Sequence, residues 1–120
     1  MSLFAHYKEC GEWGGHTEIF KIYRKKNKEI WADYKKDTVN CRGEITRKII
    51  YEKSIKLSQE YQEMIIEYMH DLLNQNFINK PLNSNAGDYY SVIASDSSLV
   101  ISHYASHYDG FEVLRDKITQ

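Results

Sequence analysis

The stretch SQEYQEMIIEYMHDLLNQNF (residues 58–77) decides the fold. Tyr61, Met64, Ile65, Tyr68, Met69, Leu72, Leu73 and Phe77 recur at steps of three, one and four, the period of a helix with a single apolar stripe. Gln62, Glu63, Glu67, His70, Asp71 and Asn74 fill the other side. Ser58 stands where an N-cap belongs, and Glu60 puts a negative charge at the positive end of the helix dipole. About twenty residues make a rod roughly 30 Å long. Such a stripe must bury itself, and a sheet face is the partner the rest of the chain can supply.

Outward from the helix, the flanks read as strands. Leu3 to Cys10 alternates loosely, and Gly11-Glu12-Trp13-Gly14-Gly15 is a glycine-dense turn. His16 to Lys25 carries Phe20 and Ile22 on one parity and Ile19 and Tyr23 on the other. Lys26-Asn27-Lys28 turns the chain into a third strand, Glu29 to Lys36. Asp37 to Glu44 reads as a loop and Ile45 to Leu57 as a fourth strand. Beyond the helix, Ile78 to Asp88 is an Asn-rich loop holding the only proline. Tyr89 to Ser95 and Leu99 to Ser106 form a hairpin around Asp96-Ser97-Ser98. Asp109-Gly110-Phe111-Glu112 has the spacing of a capping box, opening a short helix with Phe111, Leu114 and Ile118 on one side. The expected fold is α+β: a mostly antiparallel sheet of five or six strands in ββββ-α-ββ-α order, with the long helix on one face. Residues 1–120 form one domain on this reading, since 120 residues leave no room for two cores.

Composition narrows the class further. With 42% hydrophobic and 28% charged residues the chain is globular rather than disordered. Two cysteines, Cys10 and Cys41, are too few for a secreted disulfide scaffold and form no C-x-x-C pair. Neither a signal-peptide core, a glycosylation sequon nor an apolar run near 18 residues is present, so a cytoplasmic protein with no membrane contact is expected. Net charge is −1 but uneven: residues 20–56 hold twelve Lys/Arg against five Asp/Glu, and residues 57–120 three against nine. Two such halves either neutralise each other or present a charged surface to a partner.

Several strands carry apolar residues on both parities, such as Ile30 and Tyr34 against Trp31, or Leu99 and Ile101 against Val100 and Tyr104. A one-sided sheet would alternate more cleanly. The second face therefore needs a cover, supplied by the C-terminal helix, by curvature or by a second copy of the chain. A homodimer through that face is the expectation, with Tyr23, Trp31, Tyr34 and Tyr104 as the aromatic anchors.

Walker, dinucleotide-binding, zincin, nucleophile-elbow and EF-hand signatures are all missing. In an antiparallel trace, Cys10, His16, Asp37 and Cys41 converge at one edge of the sheet. Soft ligands of that kind suit zinc, and a Cys beside a His can be an activated nucleophile. The plainer alternative makes both cysteines small buried hydrophobes, so no metal or cofactor is favoured. Trp13, Gly14, Gly15 and His16 form the best candidate for a ligand-facing loop, with backbone N–H groups open to an anion. Tyr23, Arg24, Lys25, Lys26, Trp31, Tyr34, Lys35, Lys36, Arg47, Lys48 and Tyr51 interleave rings with cations, as single-strand nucleic-acid binders do on a sheet. No RNP-like motif accompanies them and the pI is about 6.5, so a solvated lysine-rich hairpin is preferred. The element order is similar to that of bacterial secretion chaperones and of some small immunity proteins, both of which grip one protein partner. The expected function is non-enzymatic binding of a protein partner. A small metal-binding protein or enzyme, and a nucleic-acid binder, are the alternatives.

Overall fold

Alternation places Leu3 and Ala5, Glu18 and Phe20, Ala32 and Tyr34, Tyr90 and Val92, and Ile101 and His103 on one side of their strands, and all ten are buried. Those strands belong to the computed structural model of the chain, which describes residues 1–10, 15–38, 48–78, 87–105 and 108–120, with side chains described for all of these except 76–78. In chain order the elements are β1 (Ser2–His6), β2 (Thr17–Arg24), β3 (Ile30–Thr38), β4 (Lys48–Lys56), α1 (Gln59–Ile78), β5 (Asp88–Ile93), β6 (Val100–Ala105) and α2 (Gly110–Ile118). The six strands form one antiparallel sheet in the order β4-β3-β2-β1-β5-β6. Register aligns the buried set: Leu3 pairs with Phe20 and Val92, Phe20 with Tyr34, and Val92 with Ile101. A one-residue slip would turn that row to the opposite face.

The β2–β3 and β5–β6 turns each use a non-glycine residue in the left-handed region, Lys28 at φ 69° and Ser97 at φ 58°. Neighbouring side chains support them, since Asn27 accepts from the Glu29 N–H (3.1 Å) and Asp96 from the Ser98 N–H (3.0 Å). β3 runs two residues past its expected end. Asp37 accepts from the Thr17 N–H and from its hydroxyl, both at 2.6 Å, and so holds the end of β3 against β2.

Helix α1 begins as its sequence requires, with Ser58 Oγ accepting from the Tyr61 N–H at 3.1 Å. Its buried stripe is narrower than the periodicity suggests. Ile65, Tyr68 and Leu72 are buried and Met64 and Met69 half-buried, but Leu73 is 41% exposed. Helix α2 shares α1's face of the sheet: Phe111 meets Tyr68 at 6.1 Å, Phe20 at 5.8 Å and Tyr90 at 6.4 Å. The expected capping box of α2 does not form. Asp109 makes no side-chain cap, and Glu112 lies 3.4 Å from the Tyr90 hydroxyl instead. With both helices on one face, the C-terminal helix is not the cover for the second face.

Candidate functional site

Glu18 sits on the parity of Phe20 and Ile22, so the strand carries a carboxylate into the core, where 1% of the residue is exposed. Four contacts fill its two oxygens. Arg115 Nη1, from α2, lies 3.0 Å from both. His16 Nε2 lies 2.9 Å from Oε2, and the Tyr34 hydroxyl donates to Oε1. His16 reaches Glu9 with its other ring nitrogen and stacks on Tyr7, their centroids 4.5 Å apart and their planes 13° from parallel. Burial alone would raise the Glu18 pKa, but hydrogen bonds from His16, Tyr34 and Arg115 outweigh it and hold the carboxyl at about 2. Burial and the Glu18 acceptor push the Tyr34 phenol well up. Burial lowers the Arg115 guanidinium, yet its bonds to Glu18 and Asp116 raise it overall. A carboxylate so saturated does not exchange protons near neutral pH. It ties β2, β3 and α2 together.

Beside this cluster the Tyr90 hydroxyl donates to the Tyr108 carbonyl (3.0 Å), and the Tyr108 hydroxyl donates to Asp71 of α1 (2.8 Å). Burial followed by Glu112 raises the Tyr7 pKa, and burial lowers that of His103. These groups form the polar seam between helices and sheet.

The loop expected to face a ligand is only partly among the described residues: Trp13 and Gly14 lie outside them. Gly15 has a structural reason to be glycine, because a Cβ there would meet Tyr7 O at 2.3 Å and Glu9 N at 2.8 Å. Gly15→Ala should therefore cost about 1–3 kcal/mol, seen as a lower urea midpoint with an unchanged slope. A wild-type midpoint would show that the backbone yields there.

The expected metal or nucleophile edge lies only partly among the described residues. Cys10 is disulfide-bonded, which removes the thiolate that either chemistry needs, and Cys41 lies outside the described residues. His16 turns to Glu9 and Glu18, while Asp37 holds Thr17. Among the described residues no group of three or more His, Cys, Asp or Glu is placed to hold a metal ion.

The four aromatic anchors separate. Tyr34 lies on the helix-covered face at 3% exposure and is not part of any open surface. Trp31 is occupied by its own strand and hairpin, with Lys25 Nζ 3.7 Å above its ring and Nε1 donating to Glu29 at 2.9 Å. Tyr23 donates to Asp33 at 3.1 Å. That half of the open face is charged, with Lys21, Asp33, Lys35 and Asp37 along β2 and β3. Tyr104 belongs to the other half, where it packs on Tyr89 at 4.7 Å. Phe4, Ile19, Tyr89 and Ile93 there line a groove of about 480 Å³. Lys and Arg, Asp and Glu are all missing from its lining. No family model matches the chain, and neither a curated protein nor a solved structure does. Function therefore has to be argued from these surfaces.

Periodicity did carry a signal for the cluster it missed. An acidic residue on the parity of Phe20 and Ile22 is a buried charge in waiting, and it demands a cation. Arg115, 97 residues away, could be matched to it only once α2 was placed on β2.

Proposed function

We propose that this chain is a non-enzymatic protein-binding domain that grips its partner through the uncharged half of the open sheet face. The supporting observation is the groove formed by Phe4, Ile19, Tyr89 and Ile93, which neither helix covers. A neutral groove lined by these apolar side chains and by Ser2, Ser91, Ser95 and Ser97 suits an uncharged side chain from the partner, with Tyr89 and Tyr104 as ring contacts. The titratable cluster around Glu18 is saturated and buried, which favours binding over catalysis. A partner gripped in this way matches the mode of immunity proteins and secretion chaperones. A second copy of the chain is the other occupant that fits a neutral patch. Composition favours work in the cytoplasm, whereas the Cys10 disulfide favours an oxidising compartment, where such bonds persist. No helix among the described residues is long and apolar enough to cross a membrane.

A photocrosslinking residue placed at the exposed Ser102, on the same face, tests the reading in the native host. A discrete adduct that Tyr104→Lys abolishes, without lowering the melting temperature, is the expected result. An adduct with the chain itself identifies a homodimer. Absence of any adduct sinks the proposal.

A further inference from the structure

The two edges of the sheet meet solvent differently. β4 is a protected edge: Lys48, Lys53 and Lys56 lie along it, and its pairing with β3 shifts between Lys36 and Asp37. Charge and bulges of that kind discourage a further strand. β6, the opposite edge, has neither. It contains no Lys, Arg, Asp, Glu or Pro, and its register with β5 runs without a shift. Among the described residues no strand pairs with its outer side. Val100 there is 57% exposed, and Leu99, just before the strand, is 46% exposed.

The ladder says which residues of β6 point outward. Leu99 O accepts from the Ala94 N–H at 3.0 Å, so Leu99 turns its backbone groups to β5, and by alternation Ile101, His103 and Ala105 do the same. Val100, Ser102 and Tyr104 turn theirs outward. These three positions are self-complementary. Antiparallel pairing with a second copy, about a twofold axis through Ser102, sets Ser102 against Ser102 and Val100 against Tyr104. Each pair then exchanges two backbone hydrogen bonds. An axis through Ile101 or His103 would leave one of the three outside the ladder. A branched side chain opposite an aromatic ring is a favourable cross-strand pair, and no like charges are brought together.

We propose that β6 is a dimer edge, on which a second copy of this chain adds its own β6 through Ser102 and joins the two six-stranded sheets into one. The proposal goes beyond the groove reading and does not rest on it. β6 contributes nothing to the lining of the groove, which stays open in each copy of the dimer.

Sedimentation of the full chain over a range of micromolar concentrations tests it, with a monomer–dimer equilibrium expected. Val100→Lys, at an exposed position, should weaken the dimer about tenfold or more, because the twofold axis places a lysine on both sides of the seam. Ser102→Cys should cross-link two copies under mild oxidation, since residues directly opposite bring their Cα atoms to about 5.5 Å, within disulfide range. Val100→Cys should not, because its two copies stand four residues apart along the strands, about 13 Å. Ile19→Lys, in the groove on β2, should leave the dimer intact, which separates the edge from the groove. A monomer at every concentration, a dimer that Val100→Lys leaves at full strength, a dimer that Ile19→Lys dissolves, or equal cross-linking of the two cysteine variants would overturn the proposal.

Discussion

Replacing Glu18 by glutamine is expected to destabilise the domain by about 3–5 kcal/mol at neutral pH, the range for removing one partner of a buried ion pair. The amide keeps the shape but loses the charge that Arg115, His16 and Tyr34 converge on. The amide NH2, itself a donor, is set against donors and finds no acceptor for its hydrogens. The effect has a pH signature with a definite sign. In the folded chain the carboxyl is held at about 2, against an ordinary value of 4.5. As pH falls, the unfolded chain takes up the proton first. The contribution of Glu18 is complete above about 4.5 and is lost as pH falls toward about 2, by about 3 kcal/mol in all. The glutamine variant has no such proton to gain, so the gap between the two proteins should narrow over that window. His103, held low by burial, makes both proteins lose stability as pH falls below its ordinary 6.5, and this cancels in the comparison. Urea unfolding at pH 7, 4 and 3 reads the gap directly. A gap unchanged down to pH 3 would mean that Glu18 is not the charge Arg115 relies on.

Phe111→Ala is expected to cost about 3–5 kcal/mol, because it empties the space where the two helices and the sheet meet. Phe111 is 0% exposed and its ring touches those of Phe20, Tyr68 and Tyr90. Val113, two residues on and 45% exposed, is the control: Val113→Ala should change stability by no more than about 0.5 kcal/mol. A Phe111→Ala loss below about 1 kcal/mol would mean that α2 does not dock as described and that Arg115 is not delivered to Glu18.

Both predictions depend on α2, and α2 is where sequence and structure part. Its amphipathic side, Phe111, Leu114 and Ile118, is plain from spacing, and all three are buried. Spacing does not say which face of the sheet the helix chooses. The contacts of Phe111 with Tyr68, Phe20 and Tyr90 put α2 beside α1 rather than across the sheet from it. Leu73 shows the same limit on α1. Periodicity assigned it to the stripe, yet in the fold it is 41% exposed. Asp109 and Glu112 have the spacing of a capping box, yet Glu112 finds Tyr90 instead, a partner 22 residues away that local rules do not see.

What the sequence by itself determined is the set of elements and their inward faces. A helical period in two segments and a two-residue period in six others leave little freedom in what each segment becomes, and Ser58, Lys26-Asn27-Lys28 and Asp96-Ser97-Ser98 mark where segments end. Only the tertiary structure decided which elements share a face, and with that the partners of Glu18, the loss of Tyr34 from the surface, the neutral groove around Phe4 and Tyr89, and the open edge at β6. The physical reason is range. Periodicity and capping act over a few residues, whereas a buried charge, a groove or an unpaired edge exists only between segments tens of residues apart.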